Sequence, residues 1–268
     1  LQYDRGLFTG LKPVALTGVR VEKPFQIKLI IRRVPALAAI NWLKMAWDIF
    51  KQYPLLFIQM LLLTYVITYL AALSSITLMI GVLVSGFFTA GFYHAIAGVQ
   101  QQQKIDLSWL FQPFKDPSCR RILLLIAISE FVVTTLVVIL FQSQTAEAVI
   151  RLQETRELDS ALSLQVLALL LTVFFIKLWS CYAIAIAFFL KEQRLLLILG
   201  AALLACWRNL GAMLVFMLLS VALIILSIPT MLLALVLVVP LLMISWFISF
   251  NEVFALKVNA EREGVLEV

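Results

Sequence analysis

Glu130 and Lys177 are the residues of this chain best placed to do chemistry, because each sits inside an apolar run long enough to cross a bilayer. An ionisable side chain held in hydrocarbon is costly and faces a partner or a cavity. Opposite charges on neighbouring spans therefore have two readings. In one, Glu130 is a proton or cation site with Lys177 as its counter-charge; in the other, the pair is a buried tie that fixes how two helices meet. Ser180, three residues past Lys177, would complete a Ser-Lys dyad, but nothing nearby supplies an oxyanion hole. A transport path recruits more polar groups than these spans carry, which favours the tie.

Other chemistry finds little support. The only His, His94, excludes multi-His metalloprotease motifs, and neither a Gly-Lys-Ser/Thr phosphate loop nor a GxSxG nucleophile turn occurs. Cys119, Cys181 and Cys206 form no CxxC pair and read as small packing residues. A site built from His94 with Asn251-Glu252 would lack a third ligand. The chain is therefore expected to be non-enzymatic, with no metal and no cofactor.

The elements that must hold the charge pair are six apolar runs, at 54–73, 76–98, 122–141, 164–190, 211–228 and 231–250, each near the ~20 residues a spanning helix needs. Of the 268 residues, 63% are hydrophobic and 13% charged, and mean hydropathy is +1.04. Soluble chains carry about a quarter charged residues. Backbone groups in lipid must be satisfied within the segment, so the expected fold is all-α, a polytopic membrane bundle of six transmembrane helices. Glu130 then lies about 12 Å into the third span, at 1.5 Å per residue, and Lys177 close to the midplane of the fourth.

All Lys and Arg residues except Arg151, Arg156 and Lys177 fall on one side of these spans. By the positive-inside rule both termini are cytoplasmic. The basic collar, including Arg32, Arg33, Lys44, Lys51, Arg120, Arg121 and Arg208, suits anionic lipid headgroups or a protein partner rather than nucleic acid. The opposite face carries an acidic loop at 142–163, expected to form a short solvent-facing helix. Residues 1–35 read as a basic cytoplasmic arm, 36–255 as the transmembrane domain and 256–268 as a cytoplasmic tail. No cleavable signal is visible in the first residues.

After Pro35, Leu37, Ile40, Leu43, Trp47 and Phe50 recur at helical spacing with Lys44, Asp48 and Lys51 opposite. That pattern predicts an amphipathic helix in the cytoplasmic interface, with Trp42 and Trp47 at headgroup level. Trp109, in the aromatic loop before the third span, and Trp207, before the fifth, are expected to anchor the interface in the same way. At an offset of 160 residues Ala46-Trp47 lies over Cys206-Trp207, Ser85 over Ser245, Phe87 over Phe247 and Ala95 over Ala255. This points to a parallel internal repeat with spans three and four between its copies. Small residues at Gly81/Ser85, Gly86/Ala90 and Gly91/Ala95 place span two inside the bundle.

The segment Asn41-Trp42-Leu43-Lys44-Met45-Ala46-Trp47-Asp48-Ile49-Phe50 leading to Pro54, the Gly-rich second span and the aromatic loop after it form a recognisable order. With Ala205-Cys206-Trp207-Arg208-Asn209 before the fifth span, the chain resembles a proteobacterial family of uncharacterised six-span inner-membrane proteins. The resemblance covers roughly 36–255, implies a bacterial inner membrane and supplies no activity. The expected function is a non-enzymatic accessory or scaffold subunit of a larger membrane assembly, contacting lipid and other subunits. The alternative is a small transporter or channel using Glu130 and Lys177.

Overall fold

A computed structural model of the chain describes residues 31–155, 160–231 and 233–254. The expectations for residues 1–30 of the basic arm, for 156–159 and for the tail from 255 lie outside the described residues. Among the described residues the fold is all-α: α1 (Ala38–Phe50), α2 (Pro54–Ala71), α3 (Ser75–Gln100), a 3-10 turn (Leu107–Phe111), α4 (Gln112–Lys115), α5 (Pro117–Thr155), α6 (Ser160–Leu190), α7 (Leu195–Arg208), α8 (Leu210–Leu226), a second 3-10 turn (Ile228–Thr230) and α9 (Leu235–Val253). Among the described residues, six stretches are long and apolar enough to cross a membrane: Pro54–Ala71, Met79–Gln100, Pro117–Gln142, Leu167–Leu190, Leu210–Thr230 and Leu235–Val253.

Helix ends follow local sequence. Pro54 starts α2 at a position where its missing N–H costs nothing. Asp116 begins α5 by accepting the Ser118 backbone N–H and hydroxyl on Oδ1, at 2.9 and 2.6 Å. At the other end α5 runs on past the apolar stretch that closes at Gln142 and reaches Thr155, about 20 Å further at 1.5 Å per residue. The short separate helix expected in the acidic loop is thus a continuation of the spanning helix itself. The reason is local: 142–155 contains neither Gly nor Pro to interrupt the backbone hydrogen bonding.

The packing has a cyclic order of three. Each unit is a short helical element followed by a hairpin: α1 then α2–α3, the 3-10 turn with α4 then α5–α6, and α7 then α8–α9. The short element of each unit packs on the second hairpin helix of another, α1 on α9, the turn and α4 on α3, and α7 on α6. The second hairpin helices α3, α6 and α9 touch one another at the centre and bury more of their length than α2, α5 and α8. The offset of 160 residues therefore relates two units of a three-unit arrangement, and spans three and four belong to the remaining one.

Close packing of the middle unit depends on glycine. The Leu110 backbone of the 3-10 turn sits so near α3 that a Cβ on Gly91 would lie 2.2 Å from the Leu110 carbonyl oxygen. Phe111 and Phe114 then pack on Phe88 and, for Phe114, also on Phe87, with ring centroids 4.8–6.0 Å apart. The aromatic loop is thus seated on the bundle rather than in lipid.

One expectation is corrected here. Trp42 is fully buried, donates its Nε1–H to the Glu252 carboxylate of α9 and meets the Phe216 ring edge-on at 5.9 Å. Its face of α1 is the stripe Ala39, Trp42, Ala46 and Ile49, in which the small alanines allow close approach to α9. The bulky stripe of Leu37, Ile40 and Trp47 stays outside the protein. Trp47 and Trp207 are exposed, whereas Trp109 is half-buried.

Candidate functional site

The antiparallel packing of α5 on α6 brings Glu130 and Lys177 together near the middle of both helices. Lys177 Nζ donates to Glu130 Oε1, and the Ser180 hydroxyl donates to Glu130 Oε2. Residues three apart on a helix share a face, so Lys177 and Ser180 reach the same carboxylate from one side of α6. Each carboxylate oxygen thus has one donor, and a charge-assisted donor at that.

Burial is unequal across this cluster. The Ser180 side of the seam is closed, with the residue 2% exposed, and the Glu130 side chain is 12% exposed. The Lys177 side chain is 51% exposed. The Glu130 side chain is turned inward and much of the Lys177 side chain outward, onto the face that also carries Leu170, two turns earlier on α6. The seam can hold a proton-accepting carboxylate in a fixed place. It can also present a cation to whatever lies against that face.

A second polar group gathers where α3 and α6 end. Lys191 and Gln102 both adopt left-handed backbone, with φ of 53° and 56°, and they stop the two helices abruptly. Lys191 pairs with Asp116 Oδ2 and lies 4.7 Å from the centroid of the Phe188 ring. That pairing, with the Ser118 bonds, holds the Asp116 carboxyl well below its ordinary value. Next to it Arg194 grips the Glu192 carboxylate, lowering it to about 2. His94 stacks on Trp109 at 4.4 Å and meets Phe188 edge-on at 5.5 Å, and its Nδ1 is buried without a hydrogen-bond partner. Position along the chain gave no sign of this cluster beyond the lone His and the Gln tract 100–103.

The basic residues behave differently from one another. Lys51 pairs with Asp48 on the exposed side of α1, while Arg33, Lys44, Arg120, Arg121 and Arg208 are exposed. Arg32 is exposed as a side chain but held by its backbone. Its N–H donates to Val253 O at 2.7 Å, and its carbonyl accepts from Asn209 Nδ2 at 3.0 Å. Asn209 Oδ1 accepts the Val34 N–H at 2.8 Å, so one buried amide fastens the segment 32–34 to the start of α8. Sequence reasoning missed Asn209, and only its unusual position between two apolar helices marks it.

Among the described residues no three His, Cys, Asp or Glu side chains converge. Cys119, Cys181 and Cys206 are buried and unpaired, and burial pushes the Cys206 thiol up to about 12.

Six apolar helices among the described residues, three of them forming the central trio, define a multi-pass integral membrane protein. No protein-family model, curated protein or solved structure matches the chain.

Proposed function

We propose that this protein is a non-enzymatic component of a larger membrane assembly, an accessory or scaffold subunit whose α5/α6 face is covered by another membrane protein. The observation that carries this reading is the half-exposed Lys177 side chain at the middle of a span. An ammonium facing acyl chains at helix centre costs about 2.5–3.5 kcal/mol on insertion scales. Snorkelling does not remove that cost. The nearer end of the apolar stretch, Leu167, is about 15 Å away, well beyond a four-carbon stem. Glu130 cancels the net charge but takes up one of three N–H donors, leaving the outer half of the ammonium for a partner.

The buried Ser180 hydroxyl, already committed to Glu130, supports a non-enzymatic role because no substrate atom reaches it. The basic collar and the resemblance to six-span proteobacterial proteins support the bacterial inner membrane, with both termini cytoplasmic and anionic headgroups around the collar. The test is photo-crosslinking in intact membranes from Leu170, on the Lys177 face. A defined protein adduct supports the assembly role. Lipid adducts alone, together with a solute flux lost in Glu130→Gln, would put the transporter in its place.

A further inference from the structure

A cavity of about 320 Å³ opens between the ends of α3 and α6, on the side of the bundle that carries the basic collar. His94, Gln101, Gln103, Gln112, Asp116 and Lys191 supply its polar groups, and Trp109 and Phe188 its aromatic wall. Its one carboxylate is engaged: Asp116 Oδ1 takes the Ser118 N–H and hydroxyl, and Oδ2 takes Lys191. Its one ammonium has donors to spare. Lys191 Nζ has three N–H bonds and one carboxylate partner, and the Gln112 side-chain amide has no hydrogen-bond partner among the described residues. The unpartnered Nδ1 of His94 is a further unsatisfied group in the same wall.

Spare N–H donors on the ammonium of a half-exposed lysine, with amide N–H groups beside it, are the chemistry of an anion site. Lys191 adopts left-handed backbone, uncommon for a residue other than Gly, Asn or Asp, and its ammonium lies over Phe188 at the cavity wall. The cavity lies where the apolar stretches end at Gln100 and Leu190, which is headgroup depth for a chain crossing the bilayer. Basic pockets between helices at that depth suit phosphate-bearing headgroups. We infer that this cavity binds the phosphate of a phospholipid headgroup, with Lys191 and Gln112 as its donors and Trp109 and Phe188 flanking the glycerol end. This site is separate from the α5/α6 seam and stands or falls without it.

Native mass spectrometry of the full-length, detergent-purified protein with added dioleoylphosphatidylglycerol tests the inference. The wild type is expected to retain one lipid through activation, with retention falling about tenfold in both Lys191→Met and Gln112→Leu, the scale of one lost charge-assisted or buried hydrogen bond. Tyr69→Phe, exposed near the far end of α2 and away from the collar, should match the wild type. A second arm adds inorganic phosphate. Undiminished retention assigns the site to the lipid, and displacement keeps the phosphate site but assigns it to soluble phosphate. Gln112 is exposed, so its variant folds even where the Lys191 turn does not tolerate change. Equal retention by wild type and Gln112→Leu would overturn the inference.

Discussion

Replacing Gly91 by Ala should loosen the middle unit of the bundle, and the structure sets the size of the effect. The added Cβ would meet Leu110 O at 2.2 Å, its carbonyl carbon at 2.7 Å and its Cα at 2.8 Å. Ordinary carbon–oxygen contact begins near 3.3 Å, so the 3-10 turn must retreat by about 1 Å. No rotamer change relieves a clash with backbone. Leu110 is buried, and the turn also carries Trp109 against His94 and Phe111 against Phe88, so retreat disturbs several contacts at once. Overpacking of this kind costs about 1–3 kcal/mol or more, while Gly to Ala in a helix returns up to about 1 kcal/mol. The expected net loss is about 1–2 kcal/mol. Gly200 in α7 is the control, because a Cβ there meets nothing within 4 Å and the helical gain stands alone. Unfolding in mixed micelles, followed by tryptophan emission and extrapolated linearly, should separate the two variants by about 2–3 kcal/mol. A Gly91→Ala protein as stable as Gly200→Ala would refute the placement of the turn on α3.

Two further outcomes follow from the ion pairs. In a double-mutant cycle on the seam, Glu130→Leu and Lys177→Leu should each cost about 2–4 kcal/mol by stranding a charge, whereas the double variant should cost no more than about 1 kcal/mol. Additive losses, read in the same unfolding assay, would show that the two side chains do not act on each other. Asp116 and Glu192 are both held below their ordinary values of 3.8 and 4.5. A depressed carboxyl adds stability that is present above the unfolded value and lost as pH falls through the folded one. Stability should therefore drop as pH goes from about 4.5 towards 2, and Asp116→Asn should flatten that slope in thermal unfolding; an unchanged slope contradicts the Lys191 pairing.

Apolar run length made the six spans legible in the chain, because in lipid only a helix satisfies so many consecutive backbone groups within one segment. Glu130 and Lys177 stood out for the same reason, being charges where charge is costly. The outward turn of Lys177 was not legible, since the fourth span is apolar on every face and gives no rotational signal. The buried face of α1 was misread for a related reason. The largest apolar side chains defined the predicted stripe, yet Ala39 and Ala46 decide which side approaches α9. The three-unit order was only partly visible because the short element of the middle unit is a 3-10 turn with a four-residue helix, unlike α1 and α7 in length. Residues 94, 112 and 191 meet only after the helices have packed, so no spacing along the chain reports their cavity.

The central claim is that another protein covers the face bearing Lys177. A photo-reactive residue at Leu170, 61% exposed on that face, tests it directly in intact membranes, with Leu62 on α2 as the control position. The account predicts a discrete protein adduct of defined mass from Leu170, absent from Leu62 and weakened by Lys177→Leu. Identical lipid-only labelling from both positions would contradict it.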